Sequence, residues 1–248
     1  METLEFMLSK VPVILSALPT TLEMLVYSVV IAVVIGILLT WAKIGRHRII
    51  RFIANMYTSF MRGTPMIVQV LLAFIGIPLI LKSIGVSTQG WNNIIYAIAA
   101  FSLNEAAFFS EIFRGAYLDI EAGQIEAGES MGMTDFQIFR RIIFPQAAAI
   151  ALPNTTNMII ELMKNTSLGM AIGVVDMMGM AKQVSYNSYG VGQTETFMVA
   201  GVLYWILGLI FMIISNVVTK RLNRCNSPVL IKNKINWQRL INGKEEII

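Results

Sequence analysis

The chain has 248 residues, of which 56% are hydrophobic and only 14% are charged, and its mean hydropathy is +0.67. Soluble domains carry charges on about a quarter of their residues, so much of this apolar surface is expected to face lipid. The single cysteine, Cys225, excludes an internal disulfide. The single histidine, His47, excludes a zinc site of the H-E-x-x-H kind, and no G-x-x-x-x-G-K-[ST] pattern of a nucleotide-binding P-loop is present.

Five stretches are long enough to cross a bilayer at 1.5 Å rise per residue. Four of them contain no charged residue: 24–42, 63–81, 142–160 and 196–219. The fifth, 91–113, is less apolar because it contains Glu105 and Glu111. The shorter run 165–175 is interpreted as re-entrant or surface-lying. The sequence therefore predicts an all-α membrane protein with five spans within residues 24–220.

The distribution of lysine and arginine predicts the orientation of these spans. Basic residues follow the first span (Lys43, Arg46, Arg48 and Arg51), the third (Arg114, Arg140 and Arg141) and the fifth (Lys220, Arg221, Arg224, Lys232 and Lys234). The stretches after the second and fourth spans contain fewer basic residues: Lys82 follows the second span, and Lys164 and Lys182 follow the fourth. We therefore expect residues 1–23, which do not resemble a signal peptide, to be extracytoplasmic. The tail 221–248 is expected to be cytoplasmic and to contact anionic headgroups.

The cytoplasmic loop 119–145 has the pattern of two short helices joined by a sharp turn. Thr134 and Gln137 have the spacing of a capping box, and Met133 and Ile138 that of a hydrophobic staple. Gly132 stands where a left-handed residue would end the first helix.

The same loop presents apolar and acidic residues at regular positions. Phe136, Phe139 and Ile143 fall on one stripe of the second helix. Acidic residues occur at Glu121, Glu126 and Glu129, which indicates a docking partner. The alternative is a connecting loop that only packs against the spans, although long loops in compact proteins are usually functional.

This segment resembles the EAA motif of the permeases of binding-protein-dependent ABC importers. The matched positions are Glu126, Ala127, Gly128, Gly132, Ile142 and Pro145. Gly128 and Phe144 depart from the family's alanine and leucine. Three further stretches are similar to polar amino acid permeases: "FMRGTPMIVQVLLAFIGIP" (60–78), "EIFRGAYLDIEAGQIEAGESMG" (111–132) and "LMKNTSL" (162–168).

The resemblance implies a fold with five core helices and cytoplasmic coupling helices. It implies that ATP and Mg²⁺ bind a separate ATPase subunit, that Glu126 contacts this subunit and that Gly132 lets the helix turn fit closely against it. It also places Lys164 near the translocation path. For Arg62 and Gln69 of the R-G-T-P match, gating and helix-end capping with interhelical bonding are both open.

Ionisable residues at membrane depth are costly and usually functional. Glu111 and Arg114 have the i,i+3 spacing of an interfacial ion pair, as do Glu161 and Lys164. Alternatively, Glu161 and Lys164 line the path and meet a substrate ammonium and carboxylate. Glu105 either faces the substrate, with a hydrogen bond from Asn104, or pairs with Lys164.

The sequence thus predicts a transporter subunit and not an enzyme, in the cytoplasmic (inner) membrane. Its expected partners are two ATPase subunits, a second permease copy or a sister permease, an extracytoplasmic substrate-binding protein and the lipid bilayer. No nucleic acid and no metal or cofactor bound by the chain itself are expected. The resemblance implies that the substrate is a polar amino acid of the basic, cystine or glutamine class. The alternatives are a secondary transporter with Glu105 as proton site and an intramembrane assembly subunit.

Overall fold

A computed structural model of the chain describes residues 2–225, and all regular structure in this range is helical. In chain order the elements are α1 (Glu2–Leu15), α2 (Leu18–Ile44), α3 (Arg48–Gly63), α4 (Met66–Ser83), α5 (Asn93–Leu118), α6 (Ala122–Ser130), α7 (Asp135–Ile138), a π-helix (Phe139–Ile143), α8 (Phe144–Asn165), a 3-10 helix (Thr166–Ile172), α9 (Met177–Asn187) and α10 (Gln193–Cys225). The predicted all-α fold is confirmed.

The predicted spans fall on long helices. By length and composition, α2, α4 and α10 can cross a membrane, and the stretch Asp135–Ile172 together with α9 passes the same test as a pair bent by 44°. The helix of the remaining predicted span, α5, has 26 residues but carries Asn104, Glu105 and Glu111. Within the described residues, composition alone therefore selects at most four spans, and α5 is distinguished by the polar side chains that it buries.

Some predicted boundaries differ from the observed helices. The boundary at residue 23 falls inside α2, which begins at Leu18. The loop after the first predicted span contains α3, a helix of 16 residues whose arginines interrupt its apolar sequence. The run 165–175 becomes the 3-10 helix, which ends at Gly173 with a φ of +80°. Of the predicted tail 221–248, residues 226–248 lie outside the described range.

The described residues divide into two compact units, one of residues 2–114 and 155–212 and the other of residues 115–154 and 213–225. The first unit has a continuous apolar core. Its largest fully buried side chains include Phe101 of α5, Leu162 and Met163 of α8, and Met177 of α9. These residues come from helices that are far apart in sequence, so the core fixes how the helices of this unit pack.

Close packing of α2 against α5 depends on Gly36. A Cβ atom on Gly36 would lie 3.0 Å from the Cβ of Phe109, so a side chain here would push the two helices apart. One turn further along α2, the Thr40 hydroxyl donates to the Ser110 carbonyl at 3.2 Å. The two helices are therefore joined by both packing and hydrogen bonding.

The opposite face of α2 is apolar and exposed. Five of its side chains, at four-residue or three-residue intervals, are more than half exposed: Val26, Val30, Val34, Leu38 and Trp41. A continuous apolar stripe on the outside of a long helix is typical of contact with lipid.

Candidate functional site

The segment between α5 and α8 folds around Gly132, whose φ is +76°. The Gly132 N–H donates to the Glu129 carbonyl at 2.9 Å, and the Met133 N–H donates to the Gly128 carbonyl at 3.1 Å. These two bonds form a Schellman motif, in which a left-handed residue terminates a helix. The predicted turn at Gly132 is confirmed.

The helix that follows begins with the predicted capping box. The Gln137 N–H donates to the Thr134 hydroxyl oxygen at 3.4 Å, and the Thr134 N–H donates to the Gln137 side-chain oxygen at 2.9 Å. Met133 packs against the cluster that contains Ile138, as the predicted staple requires. Both ends of the turn are therefore fixed by short-range contacts.

The predicted stripe of Phe136, Phe139 and Ile143 is not observed as a single face of this second helix. Phe136 is 70% exposed and Phe139 is 39% exposed, whereas Ile138 and Ile143 are buried with Ile120. The cause is the π-helix at Phe139–Ile143, because π-helical hydrogen bonds join residues five apart. The α-helical spacing used for the prediction does not apply across this segment.

The three positions matched to E-A-A have different surroundings. Glu126 and Ala127 are exposed, and Gly128 is buried. A Cβ atom on Gly128 would lie 3.1 Å from side-chain carbons of both Ile138 and Ile142. Glycine thus permits close packing of α6 on the following helix, and the surface of the motif is formed by Glu126 and Ala127.

A buried amide network joins α3, α4 and α5. The Gln69 side-chain N–H donates to the Met61 carbonyl at 2.8 Å and to the Thr64 hydroxyl oxygen at 2.6 Å. The Asn104 side chain donates to the Gln69 side-chain oxygen at 2.9 Å and to the Met61 carbonyl at 3.0 Å. Of the two roles left open for Gln69, helix-end capping with interhelical bonding is the one observed. Asn104 is engaged in the same network.

Arg62, the other residue of the R-G-T-P match with a candidate gating role, lies at the end of α3 and is exposed. Its guanidinium lies 5.4 Å from the centre of the Phe108 ring, which is within the range of a cation–π contact.

Glu105 is the most deeply buried acidic residue among the predicted path residues. It is 1% exposed, and its Oε2 atom has no hydrogen-bond partner among the described residues. Glu161 acts on Glu105 as a like charge. Glu161 and Lys164 are both exposed. Neither a Glu161–Lys164 nor a Glu105–Lys164 ion pair forms within the described range.

Glu111 belongs to a larger ion cluster than the sequence indicates. The predicted pair with Arg114 is confirmed at 2.8 Å, and Lys43 of α2 contacts the other carboxylate oxygen at 2.6 Å. The Lys43 ammonium also donates to the Ser110 hydroxyl at 2.8 Å. Lys43 was assigned only to the cytoplasmic basic cluster, but its side chain is buried and joins α2 to α5.

Asp176 was not predicted and is fully buried. Its Oδ1 atom accepts the Gly179 N–H at 2.8 Å and so caps α9. Its Oδ2 atom accepts the Tyr204 hydroxyl at 2.6 Å. Asp176 therefore joins α9 to α10. The N-cap spacing to Gly179 is the only sequence signal that could have revealed it.

Long apolar helices with buried polar groups between them, together with a capped turn beside exposed acidic residues, indicate a membrane transport protein. In the described residues, no group of three His, Cys, Asp or Glu side chains is placed to hold a metal ion. The chain belongs to the family of binding-protein-dependent transport system inner membrane components, whose model matches residues 13–224. As a member of that family it is a permease and not an enzyme.

Two relatives and one solved structure show which members of the family the chain resembles. The chain is 35% identical over 220 residues to the probable amino-acid permease protein YxeN of Bacillus subtilis (strain 168), covering 89% of this chain and 96% of that one. It is equally identical over 220 residues to the L-cystine transport system permease protein TcyL of the same organism, covering 89% and 91%. It also resembles a chain in the crystal structure of an amino acid ABC transporter with histidines, with a TM-score of 0.75, 27% identity, and coverage of 87% and 96%. The predicted family and fold are confirmed.

Proposed function

We propose that the chain is the permease subunit of an ATP-driven importer that carries a polar amino acid across the cytoplasmic membrane by alternating access. The observation that carries this proposal is the capped turn at Gly132, which holds exposed acidic residues on a short, well-defined helix pair. The names of the relatives, an amino-acid permease and an L-cystine permease, support the substrate class.

The segment 119–145 couples this chain to a separate ATPase subunit, where ATP and Mg²⁺ bind. Glu126 and Ala127 are exposed on α6 and form the contact surface, with the turn at Gly132 beside them. Gly128 supports that surface from within by allowing α6 to pack closely. Closure of two ATPase subunits on ATP moves the paired segments and opens the path outward.

The complete importer contains two ATPase subunits, a second copy of this chain or a sister permease, and an extracytoplasmic binding protein. The residues before α2 lie on the extracytoplasmic side, the helices from α2 to α10 form the permease domain, and the tail that follows α10 is cytoplasmic. This orientation rests on the arginine and lysine clusters at alternate ends of the spans.

The orientation predicts where fusions of a cytoplasm-specific reporter enzyme are active. Fusions within 119–145 and at the C-terminus are expected to be active. Fusions near Ser87 and Asn187 are expected to be silent, because the stretches around them contain fewer basic residues than the proposed cytoplasmic ones. Reporter activity at Ser87 would contradict the proposed topology.

The energy source separates this proposal from a proton-coupled secondary transporter. Purification of the chain from its own membranes is expected to recover an ATPase with it. Uptake by vesicles loaded with ATP is expected to stop when a non-hydrolysable analogue replaces ATP and to continue when a protonophore is added. Uptake that the protonophore abolishes and that needs no ATP would support the secondary transporter instead.

Glu105 and Glu161 are proposed to line the substrate path and bind substrate ammonium groups, and Lys164 to bind a carboxylate. The unpaired Oε2 of Glu105 supports this role, since a buried carboxylate without a cation is costly. A substrate with positive charge, or with several ammonium groups as in cystine, supplies the missing cation. Asn104 and Gln69 hold the neighbouring helices, and Arg62 remains a candidate gating residue.

Glu105→Gln is expected to lower the affinity for the native amino acid by roughly 5- to 150-fold, corresponding to about 1–3 kcal/mol for a charge-assisted hydrogen bond. Thermal stability is expected not to fall, because the described residues supply no cation to Glu105 and its neutral replacement breaks no ion pair. Uptake and thermal unfolding are measured together, with Glu23→Gln as a control at an exposed glutamate of α2. Unchanged uptake and stability would remove Glu105 from the path.

A further inference from the structure

The first turn of α3 and the residues before it carry exposed basic side chains. Three arginines lie within six positions, Arg46, Arg48 and Arg51, with His47 between them, and all four side chains are exposed. In the described part of the chain, none of them has an acidic side chain within ion-pair distance. The cluster therefore has no acidic counterion among the described residues.

The exposed face of α3 continues as an apolar stripe. Five side chains are each more than half exposed: Ile49, Phe52, Ile53, Met56 and Phe60. Their spacing places them on one side of the helix, whereas Ala54 and Thr58 are buried. The stripe ends at an open groove of about 370 Å³ that Met56, Phe60 and Gly63 help to line.

This combination of charge and apolar surface matches one kind of molecule. At 1.5 Å per residue, Arg48 to Phe60 spans about 18 Å, which is close to the roughly 15 Å depth of one leaflet's hydrocarbon. We propose that the arginines at the start of α3 bind the phosphate headgroup of an anionic phospholipid, and that its acyl chains lie along the apolar stripe. The proposal goes beyond substrate transport and does not depend on it.

The charge of the cluster favours lipid over a second copy of the chain as the occupant. A two-fold interface would use the same patch on both copies and would bring two sets of unpaired arginines towards each other. A phosphate group instead accepts the paired N–H donors of guanidinium groups. Anionic lipids also attract basic segments at the membrane surface, and each additional lysine or arginine strengthens this attraction.

The test measures lipid binding to the purified full-length chain by native mass spectrometry with phosphatidylglycerol and phosphatidylcholine. The wild-type chain is expected to bind phosphatidylglycerol more tightly. Arg48→Gln with Arg51→Gln is expected to lower that affinity on the order of twentyfold, since each arginine near an anionic surface contributes about a fivefold factor. Phosphatidylcholine binding is expected to be unchanged. Phe52→Ala with Met56→Ala is expected to weaken the binding of both lipids.

Two matched variants guard against misfolding and against general charge effects. Arg48→Lys with Arg51→Lys keeps the charge and is expected to keep the preference for phosphatidylglycerol. Lys82→Gln with Lys182→Gln removes two positive charges elsewhere in the chain and is also expected to keep the preference for phosphatidylglycerol. The proposal would be overturned if the lysine variant lost as much affinity for phosphatidylglycerol as Arg48→Gln with Arg51→Gln. It would also be overturned if that arginine variant bound lipid normally but no longer gave the mass of a dimer.

Discussion

Replacement of Asp176 by alanine is expected to lower the free energy of unfolding by about 2–4 kcal/mol. The Asp176 side chain caps α9 through the Gly179 N–H and accepts the Tyr204 hydroxyl. Loss of an N-cap costs about 1 kcal/mol. A buried hydroxyl left without its acceptor costs about 1–3 kcal/mol more. Thermal and denaturant unfolding of the purified protein in detergent measure the effect.

A double-mutant cycle separates the cap from the bond to α10. Asp176→Asn keeps an oxygen for the α9 cap and is expected to cost less than Asp176→Ala. Tyr204→Phe removes the hydroxyl and leaves Oδ2 without its donor. Because the two residues contact each other, Asp176→Ala combined with Tyr204→Phe is expected to lower the free energy of unfolding by less than the sum of the two single changes. Strict additivity would contradict a direct contribution of this hydrogen bond.

Gly132→Leu is expected to abolish uptake and substrate-stimulated ATP hydrolysis while the protein still reaches the membrane. The φ of +76° disfavours any side chain with a Cβ, at a cost of about 1–2 kcal/mol. Apart from its chain neighbours, no described residue lies within 4 Å of a Cβ built there, so the position is open. The added bulk stands at the surface proposed to contact the ATPase. Reconstituted vesicles with the partner subunits provide both measurements.

Two controls make this result specific to the turn. Gly85→Leu adds the same side chain at an exposed glycine whose φ is +81°, outside the segment 119–145, and is expected to retain transport. Gly132→Asn introduces a residue that tolerates the left-handed conformation and is expected to lose less activity than leucine. Normal stimulation of ATP hydrolysis in Gly132→Leu would refute the coupling role of the turn.

The features predicted correctly from sequence are those whose determinants lie close together in the chain. Gly132, Thr134 and Gln137 fall within six residues, and each acts through backbone groups that the local sequence defines. The same holds for the Glu111–Arg114 pair, three residues apart. The membrane-spanning helices could also be predicted, because each is encoded by a continuous run of apolar residues that is long enough to cross a bilayer.

The features that sequence reasoning missed depend on residues brought together by packing. Lys43 and Glu111 are 68 positions apart, and Asp176 and Tyr204 are 28 apart. No periodicity links such residues before the helices have packed. The prediction that Phe136, Phe139 and Ile143 share one helix face was wrong for a different reason. The π-helix at Phe139–Ile143 changes the residue spacing from which that face was inferred.

The buried amide pair between α4 and α5 has a consequence for how the chain enters the membrane during synthesis. Gln69 and Asn104 satisfy each other only when the two helices are side by side, and Asn104 is followed by the buried Glu105. An acidic residue at the centre of a single inserting helix costs about 2.5–3.5 kcal/mol. On its own, α5 is therefore a poor substrate for the insertion machinery, whereas α2 and α10 are apolar enough to partition singly. Helices α4 and α5 are best released into lipid together, as a hairpin in which Gln69 and Asn104 are already hydrogen-bonded.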